Sequence, residues 1–310
     1  MEKRISKMNA LLHQFGHSQV KTVQEWNSIP PSSKKSLPKN PPKHFFEMRV
    51  TSGSTGDPLF IYYSKEAVEF FLRRTVKSIQ LSEVTPKDTA LNLFTYGSYI
   101  PGSMYERACN RMNLPVIPLG GPNTYSKEKM LFLIQKLRPN VWMSLPSYAL
   151  NLLSELKPTN YPKKVLVAGE KLYPSYIRIF KEKGVEVINH FGLTECPAIG
   201  VSEKNPSKIK VIEEGIRVES IAEESGENLL VTDYQNFSTP IIRYRTGDII
   251  KPRKVSKDGS ISEFEMLARS DDLVKLRGSF VSKNKIIESL LDYSSHFQVV
   301  VSTKNNKDVV

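Results

Sequence analysis

The feature that most constrains the fold is an alternation of strand and helix patterns between residues 64 and 189. Short apolar runs predict strands at 91–95, 116–119, 141–144, 164–168 and 185–189. Amphipathic stretches predict helices at 64–81, 127–137, 148–156 and 174–183. Because strands separated by helices pair in parallel, this order predicts an α/β fold with a mainly parallel sheet covered by helices.

The pattern changes after Gly200. Turn signals such as Glu224-Ser225-Gly226-Glu227 separate short apolar runs, which predict a small β-rich subdomain over 205–268. Its strands are expected at 211–212, 216–218, 228–232, 241–244, 249–250 and 261–266. Outside these regions we predict helical structure in 1–25 and an exposed connector over the proline-rich 28–43. A helix at 283–291 and a strand at 297–302 are predicted near the C-terminus.

A loop of six consecutive Gly, Ser and Thr residues runs from Thr51 to Gly56. It follows the apolar residues Met48 and Val50, and Pro58 lies just beyond it. Such a loop binds phosphates because glycine lets backbone N–H groups approach the ligand and the hydroxyls add donors. A flexible linker has the same composition. The loop is not a Walker motif, since no Gly-Lys-Ser/Thr follows it, and on its own it leaves both interpretations open.

Later segments favour the phosphate interpretation. They read NHFGLTE at 189–195, TPIIRYRTGD at 239–248 and RSDDLVKLRG at 269–278, with shorter matches GGPNT at 120–124, PSYAL at 146–150 and AGE at 168–170. In this order the chain resembles the acyl-adenylating superfamily, and within it the phenylacetate–CoA ligase family, from about Trp26 onward.

The resemblance implies a large N-terminal adenylate-forming domain at 1–270, a hinge at Asp271 and a partial α+β C-terminal lid at 271–310. It also implies a two-step reaction. A carboxylic acid, possibly an aryl acid, attacks the α-phosphate of ATP with Mg²⁺ bound, giving acyl-AMP and pyrophosphate. A thiol then displaces AMP, and this thiol belongs to CoA or to the phosphopantetheine of a carrier protein.

Site residues follow from the same resemblance. The phosphates of ATP are expected at Thr51, Ser52, Gly53, Ser54, Thr55 and Gly56. Phe191 is expected against adenine with Gly192 beside it, Thr194 at the α-phosphate and Glu195 at Mg²⁺. The nucleotide is also expected to contact Asp248 through its ribose, Arg269, Gly169 and Glu170. The acyl pocket is expected to include Tyr96, Ser147, Tyr148 and His190.

Each role has a structural alternative. Phe191 could be a core residue and Glu195 a solvated acid at a helix start. Asp248 could be a turn residue and Arg269 half of a surface ion pair. His190 could be a buried histidine whose ring is satisfied within the protein.

Composition restricts the partners. The net charge of +12 suits anions such as ATP, CoA or an acidic acyl carrier protein. Nucleic acid is the generic alternative, but the basic residues are dispersed, so we expect none. Two cysteines make neither a disulfide framework nor a cysteine-based zinc site. No apolar run is long enough for a membrane span, and without a signal-peptide pattern the cytoplasm is the expected compartment.

The resemblance also implies a C-terminal lysine that reaches the acyl carboxylate and the α-phosphate. Lys304 and Lys307 flank a turn pattern and do not match that motif. From the sequence we therefore expect this charge to be missing, as in a minimal enzyme, a shortened protein or a protein with part of the activity. A non-catalytic protein that binds nucleotide or acyl-adenylate is the alternative function.

Overall fold

Two helices in the N-terminal region pack against the antiparallel part of the molecule. The computed structural model describes residues 2–14, 16, 18–51, 58–276, 279–282, 302–304 and 307–309. Helix α1 (Glu2–Gln14) and helix α2 (Val23–Ser28) replace the single helical stretch predicted over 1–25. The second helix starts anew because the Thr22 hydroxyl accepts the Glu25 N–H at 3.1 Å. Their apolar side chains bury Trp26 against Tyr234 and Ile242.

The proline-rich connector over 28–43 is exposed for most of its length, as predicted, but it is docked at two points. Ser32 pairs with Tyr244 in an isolated parallel bridge. Leu37 is buried in the main core. Lys34–Ser36 form one short 3-10 turn between the prolines, and the backbone of Ser32 bonds to that of Arg243 and Arg245.

A β-hairpin and a long helix come next. Strand β1 (Glu47–Val50) pairs antiparallel with β2 (Phe60–Tyr63), one on each side of the Gly/Ser/Thr loop. Helix α3 (Lys65–Leu81) confirms the predicted helix, and the Ser64 hydroxyl caps it by accepting the Ala67 N–H at 3.2 Å.

The predicted parallel sheet is confirmed. Its strands are β3 (Ala90–Asn92), β4 (Val116–Pro118), β5 (Val141–Ser144), β6 (Lys164–Val167) and β7 (Glu186–Phe191). They lie in the order β4-β3-β5-β6-β7, all parallel. The covering helices are α4 (Ile100–Arg111), α5 (Lys127–Leu137), α6 (Pro146–Glu155) and α7 (Pro174–Glu182). Helix α4 is absent from the sequence prediction.

The second half of the chain is antiparallel. Its strands are β8 (Gly200–Ser202), β9 (Lys208–Val211), β10 (Ile216–Glu223), β11 (Gly226–Asp233), β12 (Tyr244–Val255) and β13 (Ile261–Arg269). Strand β8 pairs with β7, so the described residues form one eleven-stranded sheet in the order β10-β11-β12-β13-β9-β8-β7-β6-β5-β3-β4. The nucleotide motifs therefore lie on both halves of a single sheet.

Short hairpins follow the large sheet. Strand β14 (Leu273–Leu276) pairs with β15 (Ser279–Ser282), and β16 (Ser302–Lys304) pairs with β17 (Lys307–Val309). The helix predicted at 283–291 lies outside the described residues, as does all but the last residue of the strand predicted at 297–302. The described part of the chain contains no helix that is long and apolar enough to span a bilayer.

Candidate active site

Several of the predicted site residues lie just beyond the carboxyl ends of the parallel strands. Ser147 follows β5, Glu170 follows β6 and Thr194 follows β7. The structure joins two of them, since Glu170 Oε2 accepts the Ser147 hydroxyl at 2.6 Å and the Ser147 N–H at 3.3 Å. Ligands of open α/β sheets bind at this edge, so the sheet places these motifs where a ligand is expected.

The loop after β7 is tightly folded. A Cβ atom added at Gly192 would lie 2.6 Å from the backbone nitrogen of Ala198, so only glycine fits there. The Tyr63 hydroxyl donates to the Thr194 carbonyl. The buried Arg74 guanidinium donates to the Pro197 carbonyl at 3.0 and 3.3 Å. The loop is thus held from β2 and from α3.

Glu195 lies at the centre of these contacts with 5% of its surface exposed. Its Oε1 accepts the hydroxyl of Tyr244, the first residue of β12, at 2.7 Å. Burial and the neighbouring Glu195 carboxylate raise the pKa of Tyr244, so the phenol stays protonated and donates. The alternative interpretation, that Glu195 is a solvated acid at a helix start, is therefore wrong, because the side chain is buried.

The environment of Glu195 fits Mg²⁺. Within the described ranges, no group of three or more His, Cys, Asp or Glu side chains could enclose a metal ion. Mg²⁺ needs no such cage, because it takes one or two carboxylates together with substrate phosphates and water. One buried carboxylate is therefore a sufficient protein donor for Mg²⁺ where phosphates and water complete the ligand set.

Asp248 and Arg269 face each other across two strands. They are cross-strand partners in the β12–β13 ladder, and Arg269 Nη1 lies 3.4 Å from Asp248 Oδ1. Asp248 is buried at 2% exposure, whereas the Arg269 side chain is 34% exposed. Asp248 lies four residues beyond Tyr244 along β12, so the strand that contacts the loop after β7 also carries one member of this pair.

Phe191 ends β7 and is partly buried. Its ring packs edge-on against Phe264 of β13, with centroids 5.6 Å apart. This contact agrees in part with the alternative that Phe191 is a core residue. Because the ring is only partly buried, its remaining surface can still pack against a flat ligand.

His190 is buried with both ring nitrogens engaged. Ser82 Oγ lies 2.8 Å from Nε2, and the Tyr105 hydroxyl oxygen lies 2.8 Å from Nδ1. Because Ser82 donates its own proton to the Ser78 carbonyl, Nε2 carries a proton and Nδ1 accepts from Tyr105. Burial lowers the pKa of His190 to about 3. This is the alternative of a satisfied histidine, and a substrate contact would require one of these bonds to break.

The remaining predicted site residues either make a few contacts in the structure or lie outside the described ranges. Thr51 Oγ1 accepts the Leu59 N–H at 3.0 Å at the base of the hairpin, while Ser52, Gly53, Ser54, Thr55 and Gly56 lie outside the described residues. Tyr96 accepts the Asn92 amide at 3.0 Å, and burial raises its pKa and that of Tyr148. Gly169 directly follows Ala168 at the end of β6, and Asp271 lies in a short 3-10 turn, Ser270–Asp272, between β13 and β14.

Three residues of the site received no role from the sequence: Tyr244, Tyr63 and Arg74. Tyr244 lies inside the 239–248 motif, which was the available signal. Arg74 falls three residues after Phe71 on the inward face of α3, which is an unusual place for an arginine. It lies 3.5 Å from Asp233 Oδ2 and donates to the Glu214 carbonyl at 2.9 Å. No sequence pattern marks Tyr63.

The described residues thus combine an open α/β sheet, a tight glycine-containing loop with a buried carboxylate after β7, and an Asp–Arg pair in the β12–β13 ladder. The AMP-binding enzyme family matches residues 3–221 of this chain. The chain belongs to that family.

Curated relatives support the resemblance found in the sequence. Phenylacetate-coenzyme A ligase of Escherichia coli (strain K12) is 25% identical over 295 residues, which cover 86% of this chain and 66% of the relative. The enzyme of the same name from Thermus thermophilus is 25% identical over 292 residues, covering 86% of this chain and 65% of the relative. The chain thus spans just under two thirds of the length of these relatives.

Solved structures share the fold. An open conformation of 2-hydroxyisobutyryl-CoA ligase, in complex with 2-HIB-AMP and CoA, aligns with a TM-score of 0.75 at 16% identity, covering 94% of this chain and 80% of that chain. O-succinylbenzoate coenzyme A synthetase from Bacillus subtilis, in complex with ATP and magnesium ion, aligns with a TM-score of 0.61 at 16% identity, covering 84% of this chain and 58% of that chain. These likenesses confirm the predicted fold class.

Proposed function

We propose that this chain activates a carboxylic acid with ATP, forming acyl-AMP and pyrophosphate, and that the acyl group then passes to the thiol of CoA. The observation that carries the proposal is the convergence of two motifs on one site. Glu195 of the loop after β7 bonds to Tyr244, and Tyr244 begins the strand that pairs Asp248 with Arg269. CoA ligases occur both among the curated relatives and among the solved structures that share the fold. This supports CoA as the acceptor.

The residues divide the work of binding ATP. Asp248 accepts hydrogen bonds from the ribose hydroxyls, and Phe191 lies against adenine. Thr194 donates to the α-phosphate, and the loop from Thr51 to Gly56 holds the β- and γ-phosphates. Arg269 supplies positive charge where negative charge develops in the transition state. Mg²⁺, when bound, neutralises phosphate charge.

The acid is proposed to bind beside the nucleotide, near Tyr96, Ser147 and Tyr148. Two aromatic side chains suit an aryl acid, and the matched relatives are named for phenylacetate. His190 is neutral here, so it offers no positive charge to a carboxylate. We therefore assign recognition of the acid to shape and neutral donors. The expectation about the C-terminal lysine motif stays a prediction, as do the domain boundary at 270 and the hinge role of Asp271.

Acid-dependent exchange of labelled pyrophosphate into ATP tests the first step. A panel of carboxylic acids headed by aryl acids is expected to include at least one that supports exchange, and reactions without acid give the background. Mass spectrometry with CoA or with a phosphopantetheinylated carrier protein then identifies the thiol acceptor. ATP binding without exchange for every acid would reject the enzyme and favour a non-catalytic nucleotide-binding protein.

A further inference from the structure

Tyr244 links Glu195 to the N-terminal region of the chain. Its side chain is 1% exposed, and its hydroxyl donates to Glu195 Oε1 at 2.7 Å. A buried donor bonded to a carboxylate fixes the rotation of that carboxylate, because breaking the bond would leave two buried polar groups unsatisfied. Glu195 therefore has one oxygen held by the protein.

The backbone next to Tyr244 is in an uncommon conformation. Arg243 has φ of +45°, a left-handed value that non-glycine residues seldom adopt. The structure holds this conformation from several sides. The Arg243 N–H donates to Thr232 Oγ1 at 2.9 Å, and its guanidinium donates to the carbonyls of Asn27 and Ile29. Its Nε lies 3.9 Å from Glu219 Oε2.

Ser32 straddles the same position. Its N–H donates to the Arg243 carbonyl at 3.1 Å, and its carbonyl accepts the Arg245 N–H at 2.9 Å. Its hydroxyl donates to the Ile242 carbonyl at 2.8 Å. Residues on both sides of Tyr244 are thus bonded to Ser32 of the connector. Ser32 itself has no proposed contact with ATP or with the acid.

We propose that Tyr244 is a positioning residue for Glu195: its hydroxyl holds Oε1 and presents Oε2 to the Mg²⁺ that accompanies ATP, while residues 27–32 hold Tyr244 in place through Arg243. This inference rests on the proposed function. On this proposal the connector affects metal binding at Glu195 indirectly, through Arg243 and Tyr244.

Calorimetry with the whole chain tests the first part. The dissociation constant of ATP is measured with Mg²⁺ and again with EDTA. We call the value in EDTA divided by the value in Mg²⁺ the Mg²⁺ factor, so a larger factor means that Mg²⁺ tightens ATP binding more. Tyr244→Phe is expected to lower this factor about tenfold and to leave the EDTA value unchanged, since only a hydroxyl bonded to a charged group is lost. Glu195→Gln gives the benchmark for complete loss of the metal ligand.

Tyr161→Phe is the matched control. The Tyr161 hydroxyl accepts from the Lys183 ammonium at 3.0 Å, so this variant also loses one hydroxyl contact. Tyr161 precedes β6 and Lys183 precedes β7, so this contact lies at the amino-terminal edge of the parallel sheet, whereas Glu195 follows the carboxyl end of β7. Its Mg²⁺ factor should equal that of the parent. An unchanged Mg²⁺ factor in Tyr244→Phe overturns the proposal.

The proposed function can fail separately. If no acid supports pyrophosphate exchange but Tyr244→Phe still lowers the Mg²⁺ factor, the positioning role stands and the enzyme is rejected. If Mg²⁺ does not tighten ATP binding to the parent, the metal role of Glu195 and the present proposal both fall.

A double-mutant cycle tests the path through Arg243. Arg243→Lys keeps the charge near Glu219 but loses the planar fork that reaches two carbonyls. It should lower the Mg²⁺ factor severalfold in the parent and cause no further loss in Tyr244→Phe, because its effect passes through the same hydroxyl. Equal losses in both backgrounds would show that residues 27–32 do not act through Tyr244.

Discussion

His190 shows how burial fixes the charge of a single residue. Its pKa of about 3 lies below the ordinary value because the imidazolium would lose its hydration. Between that value and about 6.5, the pKa of an unfolded histidine, the unfolded chain binds the extra proton. Stability contributed by neutral His190 is therefore complete above pH 6.5 and is lost as the pH falls toward 3.

We expect the parent to lose about 2 kcal/mol more unfolding free energy between pH 7.5 and pH 5 than His190→Gln, whose amide does not titrate. Urea denaturation of both proteins at each pH measures this difference. Equal losses for both proteins would mean that His190 is as easily protonated in the folded chain as in the unfolded one.

Asp248 carries the proposed ribose contact. Charged hydrogen bonds are worth about 1.5–3 kcal/mol, so Asp248→Ala should weaken ATP and AMP binding together by roughly tenfold to a hundredfold. Glu263→Ala is the control, because Glu263 also pairs across β12 and β13, with Lys254. Calorimetry with both nucleotides decides; affinities for Asp248→Ala equal to the control would remove Asp248 from the nucleotide site.

At the scale of elements, the sequence predicted those whose boundaries have a local cause. Ser64 and Ser126 cap α3 and α5 through their side chains, and both helices occur where the pattern placed them. Helix α4 was missed because Pro101 and Gly102 in its first turn are typical of loops. Proline is tolerated at a helix start, and Gly102 is needed because a Cβ there would lie 2.6 Å from the Thr95 carbonyl oxygen.

Strand β12 was predicted as two short strands. Gly247 and Pro252 interrupt its apolar pattern, but register shifts near Ile249 and Pro252 keep it paired with β13 as one strand. Contacts across long separations could not be predicted at all. Tyr63 reaches Thr194, and Trp26 donates to the buried Glu219 at 2.9 Å, with no local pattern marking either pair.

Helix α3 carries two adjacent arginines in opposite environments. Arg74 is fully buried and pairs with Asp233, whereas Arg73 pairs with Glu214 at 2.7 Å on the surface. Arg74→Met should lower the free energy of unfolding by about 3–5 kcal/mol, because it leaves a buried carboxylate without its counter-charge. Arg73→Met should cost less than about 1 kcal/mol.

Urea denaturation of the two variants measures the difference. Similar costs for both would mean that Asp233 becomes protonated at little expense when Arg74 is removed. Burial already raises the pKa of Asp233 despite the neighbouring Arg74, so raising the pH in the Arg74→Met variant should widen the gap between the two variants.

At the scale of the whole molecule, one continuous sheet joins the two halves that share the site. The proposed site takes Phe191, Thr194 and Glu195 from its parallel half and Asp248 and Arg269 from its antiparallel half. The hydrogen-bonded ladder from β7 through β8, β9 and β13 to β12 fixes the distance between these groups. The positions of the motifs along the chain were predictable from the resemblance, whereas this connection required the structure.

The attack of a carboxylate on the α-phosphate of ATP needs positive charge nearby, because negative charge develops there in the transition state. The sequence offers three motif-borne cations, Arg269, Lys275 and Arg277, and the structure places Arg269 beside Asp248. A group that stabilises charge mainly in the transition state affects rate more than binding. Arg269→Ala should therefore lower the exchange rate by about a hundredfold or more, while ATP affinity changes far less.

Arg253→Ala is a matched control for this prediction. Arg253 also pairs across β12 and β13, with Glu265, and its side chain is 34% exposed, like that of Arg269. A steep fall in exchange for Arg269→Ala alone assigns the charge to Arg269, because loss of a cross-strand ion pair as such is common to both variants. Equal rates in the two variants would move the search to Lys275 and Arg277, whose alanine variants are then compared in the same assay.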